Sequence, residues 1–308
     1  MIKPHGIIPA MITPFLDDQQ VDEEGLRMQT RFLIEQGVHG LFCLGTNGEF
    51  FSLNEAEKLK VASIVLEETG GRVPVYAGTG AISTEETIRL TRAMEGIGVD
   101  AVSVITPYFL SFSQEELLRH YERLADSTDL PLILYNIPNQ TGNALQASTV
   151  AKLAKVPNIV GIKDSSGRYD VILQYLDAAD DDFAVLAGTD SLILASLMAG
   201  GKGAVASTAN LIPGILVSIY ENWRAGNMDE ATKAQNLIRP LRHSFQLGTL
   251  PSALKEAMNI AGLPAGPPRS PVAPIGGDQR MRLLEMIEHY RGLGAIPSDS
   301  GLPRTKGQ

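Results

Sequence analysis

The chain has 308 residues, 44% of them hydrophobic, with 26 Lys and Arg against 35 Asp and Glu for a formal net charge of −9. A chain of that length and composition folds as a soluble globular protein with a large core, and its acidic balance excludes nucleic acid as the main partner, since phosphate binding needs clustered cations. The single cysteine, Cys43, excludes an internal disulfide and a multi-cysteine zinc site.

In chain order, Met1–Ala10 carries one lysine, two prolines and no long apolar core, so no signal peptide is expected. No later stretch approaches the ~18 uninterrupted apolar residues of a membrane span. A cytoplasmic protein with no membrane partner is the expectation. A recurring alternation then begins. Short apolar, β-branched runs end in Gly, Thr, Asn, Asp or Pro, and each precedes a segment with helical spacing. The runs are 6–14, 40–46, 73–79, 101–107, 131–138, 159–164, 184–190 and 203–208. Their starts lie about 20–35 residues apart, the length of a βα unit. Nearly continuous apolar strands point to a parallel sheet buried on both faces. Ser52-Leu53-Asn54-Glu55, Ser83-Thr84-Glu85-Glu86 and Ser113-Gln114-Glu115-Glu116 fit the capping-box pattern and mark helix starts.

Eight such units give the fold class: α/β, a (β/α)8 TIM barrel. A doubly wound open sheet is the competitor, but no Gly-x-Gly-x-x-Gly turn follows the first strand. Beyond Asn210 the strand signal stops. Residues 211–246 and 252–262 read as helices, 264–274 as a Pro-rich connector and 278–290 as a last amphipathic helix. The expected organisation is a barrel over 1–225, a C-terminal helical extension over 226–292 and a flexible tail over 293–308.

A barrel of this type carries its active site at the C-terminal ends of the strands. Lys163 ends one such strand. An ammonium there loses solvation, which lowers its pKa and frees an amine for imine formation with a carbonyl. The alternative is a lysine paired with Asp164, Asp190 or Glu49. Tyr135 ends the preceding strand, where a phenol can serve as general acid and base. Gly45-Thr46-Asn47-Gly48-Glu49 follows the second strand. Two glycines let backbone amides converge on a small anion such as a carboxylate. Gly188-Thr189-Asp190 and Thr208-Ala209-Asn210 are further polar strand ends that shape a pocket or cap helices. The five histidines have no ligand spacing. Glu49, Asp164 and Asp190 remain as the only metal-holding alternative.

Three of these segments, Gly-Thr-Asn-Gly-Glu at 45–49, Tyr-Asn-Ile-Pro at 135–138 and Gly-Ile-Lys-Asp at 161–164, resemble in order and spacing the signatures of the dihydrodipicolinate synthase/N-acetylneuraminate lyase family. The resemblance extends over almost the whole chain. It implies class I aldolase chemistry with neither cofactor nor metal, usually in a homotetramer. Lys163 would form a Schiff base with pyruvate or another 2-oxo acid, and Tyr135 would relay protons. Thr46 and Asn47 would hold the carboxylate, and Val205 would line the same pocket. Gly188 and Tyr108 complete the expected substrate contacts.

This chain departs from the family pattern at three positions. Asn47 stands where a second hydroxyl is usual, and an amide there is expected to interrupt the proton relay. Phe109 stands where a neighbouring subunit usually donates a tyrosine, with Tyr108 beside it. Gln140 stands where the synthases carry an arginine for the aldehyde's carboxylate, and a neutral amide cannot replace that bidentate pair. These departures favour a lyase acting on a 2-keto-3-deoxy sugar acid. The synthase reaction, pyruvate plus aspartate semialdehyde, is the alternative. A non-catalytic relative that binds a 2-oxo acid is a third reading.

Overall fold

A computed structural model describes residues 2–296. Its eight strands are β1 (Gly6–Pro9), β2 (Leu41–Cys43), β3 (Val75–Gly78), β4 (Ala101–Ile105), β5 (Leu132–Asn136), β6 (Ile159–Asp164), β7 (Ala184–Ala187) and β8 (Gly203–Ala206). All pair in parallel, in the order β1-β8-β7-β6-β5-β4-β3-β2. The ring is closed by a single parallel bridge, Ala10 to Phe42, where the Met11 amide donates to the Phe42 carbonyl at 2.8 Å. Each strand lies inside its expected run. The runs overshoot because their polar ends form the loops at the top of the barrel.

Residues paired across parallel strands share a face, so the register assigns the barrel interior. Ile8, Ala10, Phe42, Tyr76, Ala101, Ile133, Leu186 and Val205, drawn from seven strands or their ends, make one apolar cluster there. Gly161, opposite Ile133, fills the same layer on β6. Tyr135 is opposite Lys163, and Lys163 is opposite Leu186, so both polar residues point inward. A register shift between Leu132 and Ile133 leaves Val160 unpaired, and this bulge fixes the phase of Lys163.

Helix starts follow local chemistry with one shift. Ser113 and Glu116 form a full capping box, and the Ser83 side chain accepts from the Glu86 amide. The next helix (Glu55–Thr69) is capped not by Ser52 but by Asn54 with Glu57. Ser52 instead ends a 3-10 turn, Phe50–Ser52, and its hydroxyl donates to the Glu49 carbonyl at 2.9 Å.

The expected helix over 211–246 is three helices, Pro213–Arg224, Met228–Leu237 and Arg239–Ser244. Gly226, at φ +79, breaks the first from the second, and Pro240 starts the third. Helices Ser252–Ala261 and Gly277–Gly292 complete the extension. Leu254, Leu283, Ile287 and Tyr290 pack in one cluster with Ile7, Ile12 and Leu216, so the extension and the barrel share a core. Within the expected tail, Ile296 is buried, and 297–308 lie outside the described residues. Among the described residues no helix is long and apolar enough to cross a membrane.

Candidate active site

Strand register and loop chemistry converge on one end of the barrel. Lys163 is 4% exposed although it ends a strand. Its Nζ lies 3.9 Å from the centre of the Tyr135 ring and 4.9 Å from that of Phe42. Its Nζ makes no ion pair or hydrogen bond among the described residues. The carboxylates that could have neutralised it are engaged elsewhere. Asp164 accepts from Asn136 Nδ2 and Ser166 Oγ, both at 2.7 Å, and burial still holds its pKa above the ordinary value. Asp190 accepts from the Ser207 and Thr208 amides at 3.2 and 2.8 Å, which pins the end of β8. Glu49 is ion-paired with Lys255 Nζ at 2.6 Å, both side chains fully buried. The contact is electrostatic rather than a well-directed hydrogen bond, and desolvation lowers the Lys255 pKa to about 8. The three carboxylates therefore do not converge, and among the described residues no group of three His, Cys, Asp or Glu side chains is placed to hold a cation.

Tyr135 is buried, and its hydroxyl meets Thr46 Oγ1 at 3.2 Å. The hydroxyl contact of this site thus runs through Thr46 and not through position 47. Asn47 was expected to interrupt a relay, but its Nδ2 donates instead to Ala10 O at 3.1 Å and Ser207 Oγ at 2.8 Å. That tie joins the turn after β2 to the ends of β1 and β8. The backbone amides of Thr46 and Asn47 donate to no group among the described residues, which leaves them available to an anion.

The remaining candidates separate. Val205 is 4% exposed in the interior cluster, on the same face as Leu186 and Lys163. Tyr108 is half-buried against Phe50, with its hydroxyl pKa raised by burial. Gln140 is exposed on the short helix Pro138–Thr141 that follows β5. Gly188 is better explained by packing than by ligand contact. A Cβ there would sit 2.1 Å from Ser165 Oγ, and its amide donates to the Asp164 carbonyl at 2.7 Å. The Thr208–Asn210 turn is likewise structural. Asn210 accepts from the Ile12 amide and from Gln29, and donates to Ala10 O.

Sequence reasoning missed Ser103, whose hydroxyl is buried without a partner among the described residues and lines a small cavity of about 10 Å³ with Phe42, Gly78, Ile105 and Tyr135. A serine inside the apolar run Ala-Val-Ser-Val-Ile was the signal. It also missed Lys255, which lies in a helix with no motif.

Comparison with known proteins places the chain among relatives along nearly its whole length. A model of the dihydrodipicolinate synthetase family matches residues 3–290. A 4-hydroxy-tetrahydrodipicolinate synthase from Methanopyrus kandleri is 39% identical over 294 residues, covering 95% of this chain and 97% of the relative. The crystal structure of dihydrodipicolinate synthase from Thermotoga maritima superposes with a TM-score of 0.91 at 31% identity, covering 96% of this chain and all of that one. YagE from E. coli, a family member crystallised with pyruvate, has a TM-score of 0.90 at 33% identity and covers 93% of this chain and 98% of its own. The chain is a lyase-class enzyme, and it belongs to the dihydrodipicolinate synthetase family of class I, Schiff-base aldolases.

Proposed function

We propose that this protein is a cytoplasmic homotetramer that joins pyruvate to aspartate semialdehyde, the synthase reaction. The sequence departures put sugar-acid cleavage first. The curated relatives reverse that order, because many of those most similar to this chain carry the synthase name. The observation that carries the reading is Lys163 Nζ, buried, without an ion pair, and directed by register to the inward face beside Tyr135.

In this reading the Lys163 amine attacks C2 of pyruvate and water leaves to give the iminium. Loss of a C3 proton then yields the enamine. C3 attacks the aldehyde carbon, the new alkoxide takes a proton, and water later releases Lys163. The Tyr135 hydroxyl, shared with Thr46, is the group positioned to pass those protons. The free amides of Thr46 and Asn47 suit the pyruvate carboxylate, with Val205 closing the floor. Phe51, Ile82, Phe109 and Leu110 are exposed on the loops after β2, β3 and β4, and suit burial by a second copy.

Gln140 supports a second reading. It offers no charge to a carboxylated aldehyde, which favours a neutral polyhydroxy aldehyde and the cleavage of 2-keto-3-deoxy sugar acids. One experiment tests both. One portion of the protein is treated with borohydride and pyruvate and its mass is read for an adduct at Lys163, and an untreated portion is assayed with acidic and neutral aldehydes. Trapping with preference for aspartate semialdehyde is expected. A preference for neutral aldehydes that Gln140→Arg reverses would favour the second reading, and Lys163→Ala should abolish trapping in either case. An adduct without turnover on any aldehyde would leave a binding protein.

A further inference from the structure

The turn that follows β2 ends in a residue whose placement local chemistry does not explain. Glu49 has φ +54, a left-handed conformation that an L side chain adopts only when its surroundings hold it there. Its amide donates to the Thr46 carbonyl at 3.1 Å, so its conformation is transmitted to Thr46. Its carboxylate points away from Lys163 into the C-terminal extension. Oε1 meets Lys255 Nζ at 2.6 Å, and Oε2 accepts the Arg269 backbone amide at 2.8 Å.

Both partners are themselves fixed. Lys255 Nζ donates to the Pro267 carbonyl at 3.1 Å and sits 4.1 Å over the Phe15 ring. The Arg269 guanidinium stacks on Phe15, holds both Glu57 oxygens, and donates to the Ser52 and Gln19 carbonyls. Four separate segments meet at one charged knot beside the active site. A fully buried ion pair is a poor source of stability compared with two apolar side chains. Its better-founded use is to specify a single conformation.

We infer that Glu49 is a positioning residue: anchored by Lys255 and the Arg269 amide, it fixes the Gly45–Glu49 turn so that the Thr46 and Asn47 amides and the Thr46 hydroxyl meet the 2-oxo acid. The C-terminal extension is then a working part of the pyruvate half-site, acting across 220 residues of sequence. The inference rests on the reading that this turn binds pyruvate.

The test measures the pyruvate concentration that half-saturates reductive trapping at Lys163, in the full chain and in Glu49→Gln, Glu49→Gly and Arg269→Met. Circular dichroism reports folding, and the aldehyde KM is taken at saturating pyruvate. The two Glu49 variants are expected to raise half-saturation about tenfold or more, the scale of a displaced binding group, with the aldehyde KM within about twofold. Arg269→Met should raise it several-fold, and it decides the matter should both Glu49 variants fail to fold. Folded variants that trap with the unaltered pyruvate dependence would overturn the inference. So would recovery in Glu49→Gly, because glycine supplies the left-handed backbone without the tether. A wild type that never traps overturns the Lys163 reading and this one together, whereas trapping with unmoved variants sinks only this one.

Discussion

Lys163 takes its chemical character from burial with no ion-pair partner among the described residues. Asp164, Asp190 and Glu49 each satisfy another group, which leaves Nζ between two aromatic rings. Tyr135 faces the same space, and among the described residues its hydroxyl meets Thr46 Oγ1 alone. Tyr135→Phe should keep reductive trapping at Lys163 but lower kcat by about 10²–10⁴-fold, the usual share of a positioned acid or base. Unchanged turnover would strip the phenol of its role. A second residue-scale effect concerns stability. His120 is buried, with Nδ1 at 2.9 Å from Thr84 Oγ1 and Nε2 without a partner. Burial lowers its pKa from 6.5 to about 4. The unfolded ring therefore binds a proton before the folded one. Stability is complete above pH 6.5 and falls as pH drops toward 4, by about 3 kcal/mol in all. His120→Gln should flatten the urea midpoint between pH 4.5 and 7, and a slope as steep as the parent's would remove His120 as its source. Lys163 and Tyr135 were legible in the sequence because a polar residue at the end of an apolar strand is anomalous by itself. The roles of Asn47, Gly188 and Glu49 were not, because each depends on a partner brought from a distant segment.

At the scale of elements, the eight strands were legible because each βα unit carries its own punctuation. Register was not. The unpaired Val160 on β6 sets which of Ile162 and Lys163 faces inward, and a one-residue slip would have sent the amine outward among the surrounding helices. Caps were legible to within two residues. The helix expected from Ser52 begins at Glu55, because the chain first makes a 3-10 turn that returns the Ser52 hydroxyl to Glu49. Asn54→Ala removes the side chain that accepts from the Glu57 amide, which should lower stability by about 1 kcal/mol. Ser52→Ala should leave that helix cap intact. Chemical denaturation of the two variants separates these outcomes, and a larger loss in Ser52→Ala would restore the expected start. The segment 211–246 read as one helix because its apolar spacing hardly falters. Gly226 and Pro240 nonetheless redirect it twice, and the redirected pieces bring Ser252–Ala261 back against the barrel.

For the molecule as a whole, the extension is neither appendage nor separate body. Leu254, Leu283, Ile287 and Tyr290 close the same apolar cluster as Ile7 and Ile12. Lys255 also neutralises a carboxylate buried in the barrel's second loop. A chain ending at Ala225 would expose that cluster and remove both groups, Lys255 and the Arg269 amide, that hold the Glu49 carboxylate. It should fail to give a cooperative melt or a near-ultraviolet dichroism signal, and a soluble, cooperatively unfolding 1–225 fragment would contradict the shared core. The sequence by itself determined the repeat of eight, the direction of the strands and the standing of Lys163 at the end of an apolar strand, because each is written in local periodicity and in the cost of placing one residue type in an apolar run. Closure of the ring at Ala10 and Phe42, the inward phase of Lys163 and the joining of Glu49 to Lys255 and Arg269 were decided only in three dimensions. Contacts between distant segments leave no period in the chain, and a buried charge takes its meaning from whichever group the fold sets beside it.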